Sequence, residues 1–90
     1  MNRKVTFYGR VQGVWFRGFV KQSAELFGVV GWVRNCSDGS VEALFCGSDE
    51  AVDEVINRCK TGPPLARVDR VVSDNYSGSP LFKDFQIRYE

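Results

Sequence analysis

The 90-residue chain contains no histidine. Imidazole is the commonest general base and the commonest zinc ligand in proteins, so its absence excludes Ser/His and Cys/His nucleophilic catalysis. Any reaction that this chain catalyses must therefore proceed without imidazole.

Cysteine is scarce as well. The three cysteines, Cys36, Cys46 and Cys59, are 10 and 13 positions apart. An odd number at these spacings fits neither a disulfide framework nor a CxxC metal site, so we expect no metal ion bound by these residues. Reduced thiols are typical of cytoplasmic proteins, which predicts a cytoplasmic location. We expect Cys46 and Cys59 to fill the hydrophobic core.

Long apolar runs are also missing. None approaches the roughly 18 residues that span a membrane, and the first eight residues alternate in polarity instead of forming a signal-peptide core. The length and composition predict a single domain over residues 1–90 with one core. We expect this domain to act as a monomer, without a membrane partner.

Charge is unevenly distributed along the chain. Residues 1–35 carry six basic side chains and one acidic, a net charge of +5, whereas residues 36–66 carry two basic and six acidic, a net charge of −4. A basic first third favours an anionic partner, although the total of +1 is far below that of typical nucleic-acid-binding modules. The alternative is that exposed charges simply cluster.

The hydrophobic pattern predicts seven elements. Apolar residues three and four positions apart indicate a helix from 16 to 27, ended by Gly28, and another between Ser48 and Gly62. Alternating or β-branched runs indicate strands at 5–8, 29–35, 41–46, 68–72 and 85–89. This order is the split βαβ pattern of a ferredoxin-like α+β sandwich, with two helices on one face of an antiparallel sheet.

The segment 9–18 joins the first strand to the first helix. Unpaired amides and the helix dipole make such a junction attractive to anions, and Gly9 and Gly13 allow the backbone to curl around one. No acidic residue lies between positions 2 and 23, and the guanidinium of Arg17 can grip two phosphate oxygens. The residues alone predict an oxyanion site that contains Arg17, unless the loop serves only as a connection.

The same segment carries a recognisable pattern. GRVQGV at 9–14, followed after Trp15 by Phe16-Arg17, resembles the phosphate-loop signature of the acylphosphatase family. GWVRN at 31–35, with DG at 38–39 and VE at 41–42, resembles its second block, and GPP at 62–64 and FQI at 85–87 match it further along. The resemblance covers essentially the whole chain in the family's order.

This resemblance implies hydrolysis of acyl phosphates to a carboxylate and inorganic phosphate, on the same ferredoxin-like fold and without a cofactor. Arg17 would bind the phosphate, and Asn35 would orient the attacking water. Backbone amides would complete the phosphate site, from Val11, Gln12, Gly13, Val14, Trp15, Phe16 and Arg17.

Two residues depart from the family pattern. Gly18 stands where a residue with a side chain is usual, which weakens the start of the helix by about 1 kcal/mol relative to Ala. Trp15 is bulky at a variable position and either stacks on the acyl group or shields the loop; we expect shielding.

Cys36, next to Asn35, is expected to be inert rather than an oxidation-sensitive thiol, and Trp32 is expected in the core.

Two other functions compete. RGFV at 17–20 superficially resembles the start of an RNA-recognition motif, but it enters a helix instead of the third strand. We therefore expect no nucleic-acid partner. The second alternative is an acylphosphatase-like domain that binds anions without catalysis.

Overall fold

The computed structural model describes residues 1–78 and 81–89. Two helices pack on one face of a five-stranded sheet, which confirms the predicted ferredoxin-like α+β architecture. The elements are β1 (Asn2–Arg10), α1 (Phe16–Leu26), β2 (Val30–Asn35), β3 (Val41–Cys46), α2 (Asp49–Thr61), β4 (Arg67–Asn75) and β5 (Phe85–Arg88). Within the described residues, neither helix is long and apolar enough to cross a membrane.

The strand order is β4-β1-β3-β2-β5. β3 is antiparallel to β1 and β2, and β4 is antiparallel to β1, as expected. β5, however, is parallel to β2, so the prediction of a wholly antiparallel sheet is wrong at this edge. The reason is polarity: β4 runs opposite to β1 and β2, and the chain reverses direction before it enters β5 at the other edge of the sheet.

The core lies between the sheet and the two helices. Phe7 from β1 meets Phe16 from α1 edge to face at 5.2 Å, and Phe45 from β3 stacks on Phe85 from β5 at 5.7 Å. These four rings are buried together with valines from five of the elements, and such burial is the main favourable term in folding. Phe19 packs against the same core from α1, so the RGFV segment does not contribute an aromatic residue to the sheet.

Trp32 does not join this core. Its neighbours Gly31 and Val33 are buried beneath the helices, so the alternation of a strand directs Trp32 to the opposite, open face of the sheet. There the guanidinium carbons of Arg34 and Arg88 lie 5.6 and 4.8 Å from its ring centroid. The prediction that Trp32 is a core residue is therefore wrong.

The cysteines differ in their accessibility. Cys46 and Cys59 are buried, as predicted, and burial raises the pKa of Cys46 and raises that of Cys59 to about 12. We expect no redox role for Cys36, but this half-buried thiol is the one that a strong disulfide reagent can reach, so Ellman's reagent at pH 8 should rapidly label Cys36 and neither of the two buried thiols. The Cys36→Ser variant should lose this fast reaction, and rapid reaction of two or three thiols in folded wild-type protein would contradict the assignment.

Candidate functional site

A cavity of 260 Å³ opens where three strands end. β1 and β2 are both antiparallel to β3 and hence parallel to each other, and β5 is parallel to β2. The carboxyl ends of these three strands therefore meet at one edge of the sheet. The cavity at this edge is lined by Val11, Gly13, Trp15, Phe16, Arg17, Gly18, Asn35, Ile87 and Tyr89.

The loop after β1 curls back on itself at two positions. Gly13 has φ 74° and Trp15 has φ 62°, both in the left-handed region, and Trp15 is the one described non-glycine residue with positive φ. A residue with a side chain adopts this conformation only where the surrounding structure supports it, and such residues are found preferentially at functional sites. Here it turns the chain into α1 directly at the cavity.

The two helices begin in different ways. At the start of α2, Ser48 Oγ accepts a hydrogen bond from the amide of Ala51 at 3.2 Å, and Asp49 and Glu50 lie in the first turn. At the start of α1, the N-cap residue Trp15 gives no side-chain cap, and the first turn contains no acidic residue. The amides at the start of α1 therefore lack the side-chain acceptor that α2 has, and they carry the positive end of the helix dipole into the cavity wall.

Arg17 supplies the charge of the site. It lies in the first turn of α1, and its guanidinium carbon is 4.9 Å from the centroid of the Tyr89 ring. A ring in this position holds a guanidinium by cation–π attraction while its N–H groups remain able to donate. Among the described lining residues, Arg17 is the one charged side chain, so the electrostatics of the cavity favour an anion.

Asn35 reaches the same cavity from the end of β2. Its Oδ1 atom is buried and has no hydrogen-bond partner among the described residues. Leaving a buried polar atom unpaired costs about 1–3 kcal/mol, so native structures rarely retain one without a functional reason. A water molecule or ligand in the cavity would remove this penalty.

Gln12 links the loop after β1 to the turn between β2 and β3, which directly follows Asn35. Its Nε2 atom donates hydrogen bonds to the backbone oxygens of Cys36 at 2.8 Å and Ser40 at 2.9 Å. The carboxylate of Asp38 also stabilises the turn between β2 and β3, because it accepts hydrogen bonds from the amide and the hydroxyl of Ser40. These bonds lower the pKa of Asp38. The side chain of Gln12 thus sets the distance between the loop and Asn35.

We expect Gln12→Glu to lower both stability and turnover. A carboxylate cannot donate to the two carbonyl oxygens and repels them, so the free energy of unfolding should fall by about 1–3 kcal/mol. Because Asn35 then loses its fixed position, kcat should fall too. Urea unfolding and steady-state kinetics measure both effects, with the exposed Gln22→Glu on α1 as the matched control. Equal stability of the two variants would contradict this role of Gln12.

Six of the eight sequence-predicted site residues line the cavity. The exceptions are Gln12, whose side chain is bound to the turn, and Val14, which is buried in the core. For both, binding through the backbone amide stays a prediction. Ile87 and Tyr89 also line the cavity, which we did not expect from the sequence. Nothing in their local pattern shows that β5 lies beside β2 and ends at the same edge of the sheet.

The cavity combines one cationic side chain, a curled loop and a helix N-terminus. These features favour the binding of a compact oxyanion. On this ferredoxin-like sandwich, such a site suits a small protein that binds or hydrolyses phosphorylated compounds.

The chain belongs to the acylphosphatase family, whose model matches residues 3–87. It is 61% identical to an acylphosphatase of Nitrobacter winogradskyi over 88% of this chain and 80% of that protein. It is 47% identical to an acylphosphatase of Geobacter sulfurreducens over 94% and 93% of the two chains. The crystal structure of the Bacillus subtilis acylphosphatase superposes with a TM-score of 0.94 at 33% identity, covering 98% of each chain.

Acylphosphatases are metal-independent hydrolases of acyl phosphates, so the predicted activity is confirmed at the level of the enzyme class. The roles of individual residues are not tested by these similarities and stay predictions.

Proposed function

We propose that the cavity binds the phosphoryl group of a carboxyl-phosphate mixed anhydride and that Arg17 is its principal ligand. The guanidinium would donate to two phosphate oxygens, and the backbone amides of residues 11–17 would donate to the others. The position of Arg17 in the first turn of α1 supports this role, because side chain and amides then face the same anion.

Asn35 would hold the attacking water. An amide side chain can orient water without removing its proton, and the buried, unpaired Oδ1 of Asn35 is available for such a bond. Asn35 and Arg17 come from different elements but line one cavity, so a water bound by the first would share this cavity with a phosphate bound by the second. This juxtaposition is the observation that carries the proposal.

The reaction is a direct displacement at phosphorus. The water oxygen forms a bond to phosphorus as the bond to the acyl oxygen breaks, and the electron pair leaves with the carboxylate. A phosphate oxygen takes the proton of the attacking water, which gives inorganic phosphate as the second product. No protein group becomes covalently modified.

This chemistry is compatible with the absence of histidine. The leaving carboxylate has a conjugate-acid pKa of about 4, so it departs without a general acid. Phosphoryl transfer proceeds through a loose transition state, in which positioning and charge stabilisation matter more than a strong nucleophile. Both contributions can come from Arg17, the loop amides and Asn35.

Hydrolysis of benzoyl phosphate by the purified, folded protein in the presence of EDTA tests the proposal, with p-nitrophenyl phosphate as a parallel substrate. We expect rapid, EDTA-resistant turnover of the acyl phosphate alone, because the p-nitrophenolate that leaves from the phosphoester is more basic than a carboxylate and gains more from an acid or a metal. Folded protein that turns over neither compound would instead support a domain that binds anions without catalysis.

We further propose that residues 1–90 form one domain that acts as a monomer in the cytoplasm. Arg17, Asn35 and the loop amides are all supplied by this chain, so the proposed reaction needs no residue from a second copy, and the three cysteines are free thiols, which suits a reducing compartment. Sedimentation equilibrium should give the mass of a single chain at micromolar concentration, and a dimer mass would contradict the monomer.

A further inference from the structure

Trp15 combines two features that seldom occur together. It is a large apolar side chain with 60% of its surface exposed, and its backbone has the left-handed φ of 62°. The indole also lines the cavity in which the phosphate is proposed to bind.

The absence of a side chain at Gly18 makes room for this indole. A Cβ atom at position 18 would lie 2.6 Å from Cε2 and 2.8 Å from Cδ1 of Trp15, well inside van der Waals contact. The φ of Gly18 is not in the left-handed region, so its backbone conformation does not require glycine. Glycine is favoured at this position because the indole of Trp15 occupies the space that a side chain would need.

A second contact fixes the plane of the ring. Trp15 meets Phe19, one turn further along α1, edge to face with centroids 6.3 Å apart and planes at 80°. Phe19 is itself packed against the core. The indole is therefore held from below by Gly18 and from the side by Phe19, while most of its surface remains open to a ligand.

Tyr89 adds a second exposed ring to the cavity. It is 81% exposed and lies against the guanidinium of Arg17. Once Arg17 and the loop amides hold the phosphoryl group, the acyl part of the substrate extends from a site that both rings line. No described lining residue carries a negative charge, and none besides Arg17 carries a positive one.

We propose that Trp15, seated on Gly18, is a specificity-determining residue that favours acyl phosphates with a flat, apolar acyl group, such as an aromatic one, over those with a small aliphatic group. The inference rests on the proposed function. A planar acyl group can stack on the exposed indole, whereas an acetyl group leaves most of that surface uncovered.

The test compares kcat/KM for benzoyl phosphate with that for acetyl phosphate. In Trp15→Gly the backbone keeps its left-handed conformation without strain, and the amide at position 15 is retained. We expect the ratio of the two kcat/KM values to fall about three- to tenfold, as the loss of one aromatic contact predicts.

Gly18→Ala tests the same contact from the other side. Its new methyl group displaces the indole, so the ratio should fall in this variant although Trp15 is still present. In the Trp15→Gly background, Gly18→Ala should cause no further fall. Gly47→Ala is the matched control, because its Cβ meets no atom closer than 3.4 Å and lies outside the lining of the cavity.

An unchanged ratio in Trp15→Gly would overturn the inference, whether both rates stay the same or both fall equally. Those outcomes would give Trp15 a shielding or loop-supporting role and leave the proposed function intact. Failure of the wild-type protein to hydrolyse either substrate would instead contradict the proposed function itself.

Discussion

Replacement of Arg17 by alanine should abolish both turnover of benzoyl phosphate and binding of inorganic phosphate. Arg17 is the one charged side chain among the described residues that line the cavity, so its loss leaves only backbone amides to bind a multiply charged anion. Arginines that stabilise phosphoryl transfer contribute about 10³–10⁵ in rate, and we expect a fall in kcat/KM of at least about a thousandfold.

Two further variants separate geometry from charge. Arg17→Lys keeps the charge but loses the two-pronged donor, so its kcat/KM should lie between those of wild type and Arg17→Ala. Arg10→Ala removes one charge from the exposed end of β1, outside the lining of the cavity, and should change kcat/KM by less than about threefold. Similar losses in Arg10→Ala and Arg17→Ala would show that the general positive field matters and not the specific contact.

Replacement of Asn35 by alanine should separate catalysis from binding. If Asn35 orients the water, kcat should fall about 10²–10³-fold, the usual loss when one positioned polar group is removed from a transition state. The inhibition constant of inorganic phosphate should change by less than about twofold, because Arg17 and the loop amides remain. Equal losses of phosphate affinity in the Asn35 and Arg17 variants would show that this division of roles is wrong.

The same variant distinguishes a catalytic role from a structural one. Oδ1 of Asn35 is buried without a partner among the described residues, so its removal breaks no hydrogen bond to another described residue. Urea unfolding should therefore show no loss of stability in Asn35→Ala. A loss above about 1 kcal/mol would indicate that the amide stabilises the fold.

Much of the fold follows from local patterns. The two helices, each followed within two residues by the predicted Gly28 or Gly62, and the hairpin between β2 and β3 all lie where periodicity and turn residues predict them. These features depend on interactions between near neighbours, which a single sequence records directly. The parallel pairing of β5 with β2 depends instead on where the chain crosses the sheet, and no local pattern encodes that.

Trp32 illustrates a second limit. Size and apolarity favour the core, but the face of a strand residue depends on its register with the neighbouring strands. Gly31 pairs with Phe45 and Val33 with Ala43, all on the buried face, and this places Trp32 among arginines on the open face. The register is set by contacts across strands that are far apart in sequence.

The candidate site, like the fold, was only partly predictable from the sequence. The anion-binding character of Arg17 and its loop follows from residue types and spacing, whereas the role of Asn35 came from the family resemblance alone. Trp15 and Gly18 looked like two unrelated departures from that family's pattern. Only the packed structure relates them, because the indole occupies the volume that a side chain at position 18 would need.

The central claim is that water attacks phosphorus directly in the cavity between Arg17 and Asn35. Hydrolysis of benzoyl phosphate in ¹⁸O-enriched water, with mass analysis of both products, tests it most directly. We expect one labelled oxygen to enter the inorganic phosphate and none to enter the benzoate, since the bond between phosphorus and the acyl oxygen is the one that breaks. Label in the benzoate would mean that water attacks the carbonyl carbon, and would contradict the roles given to both residues.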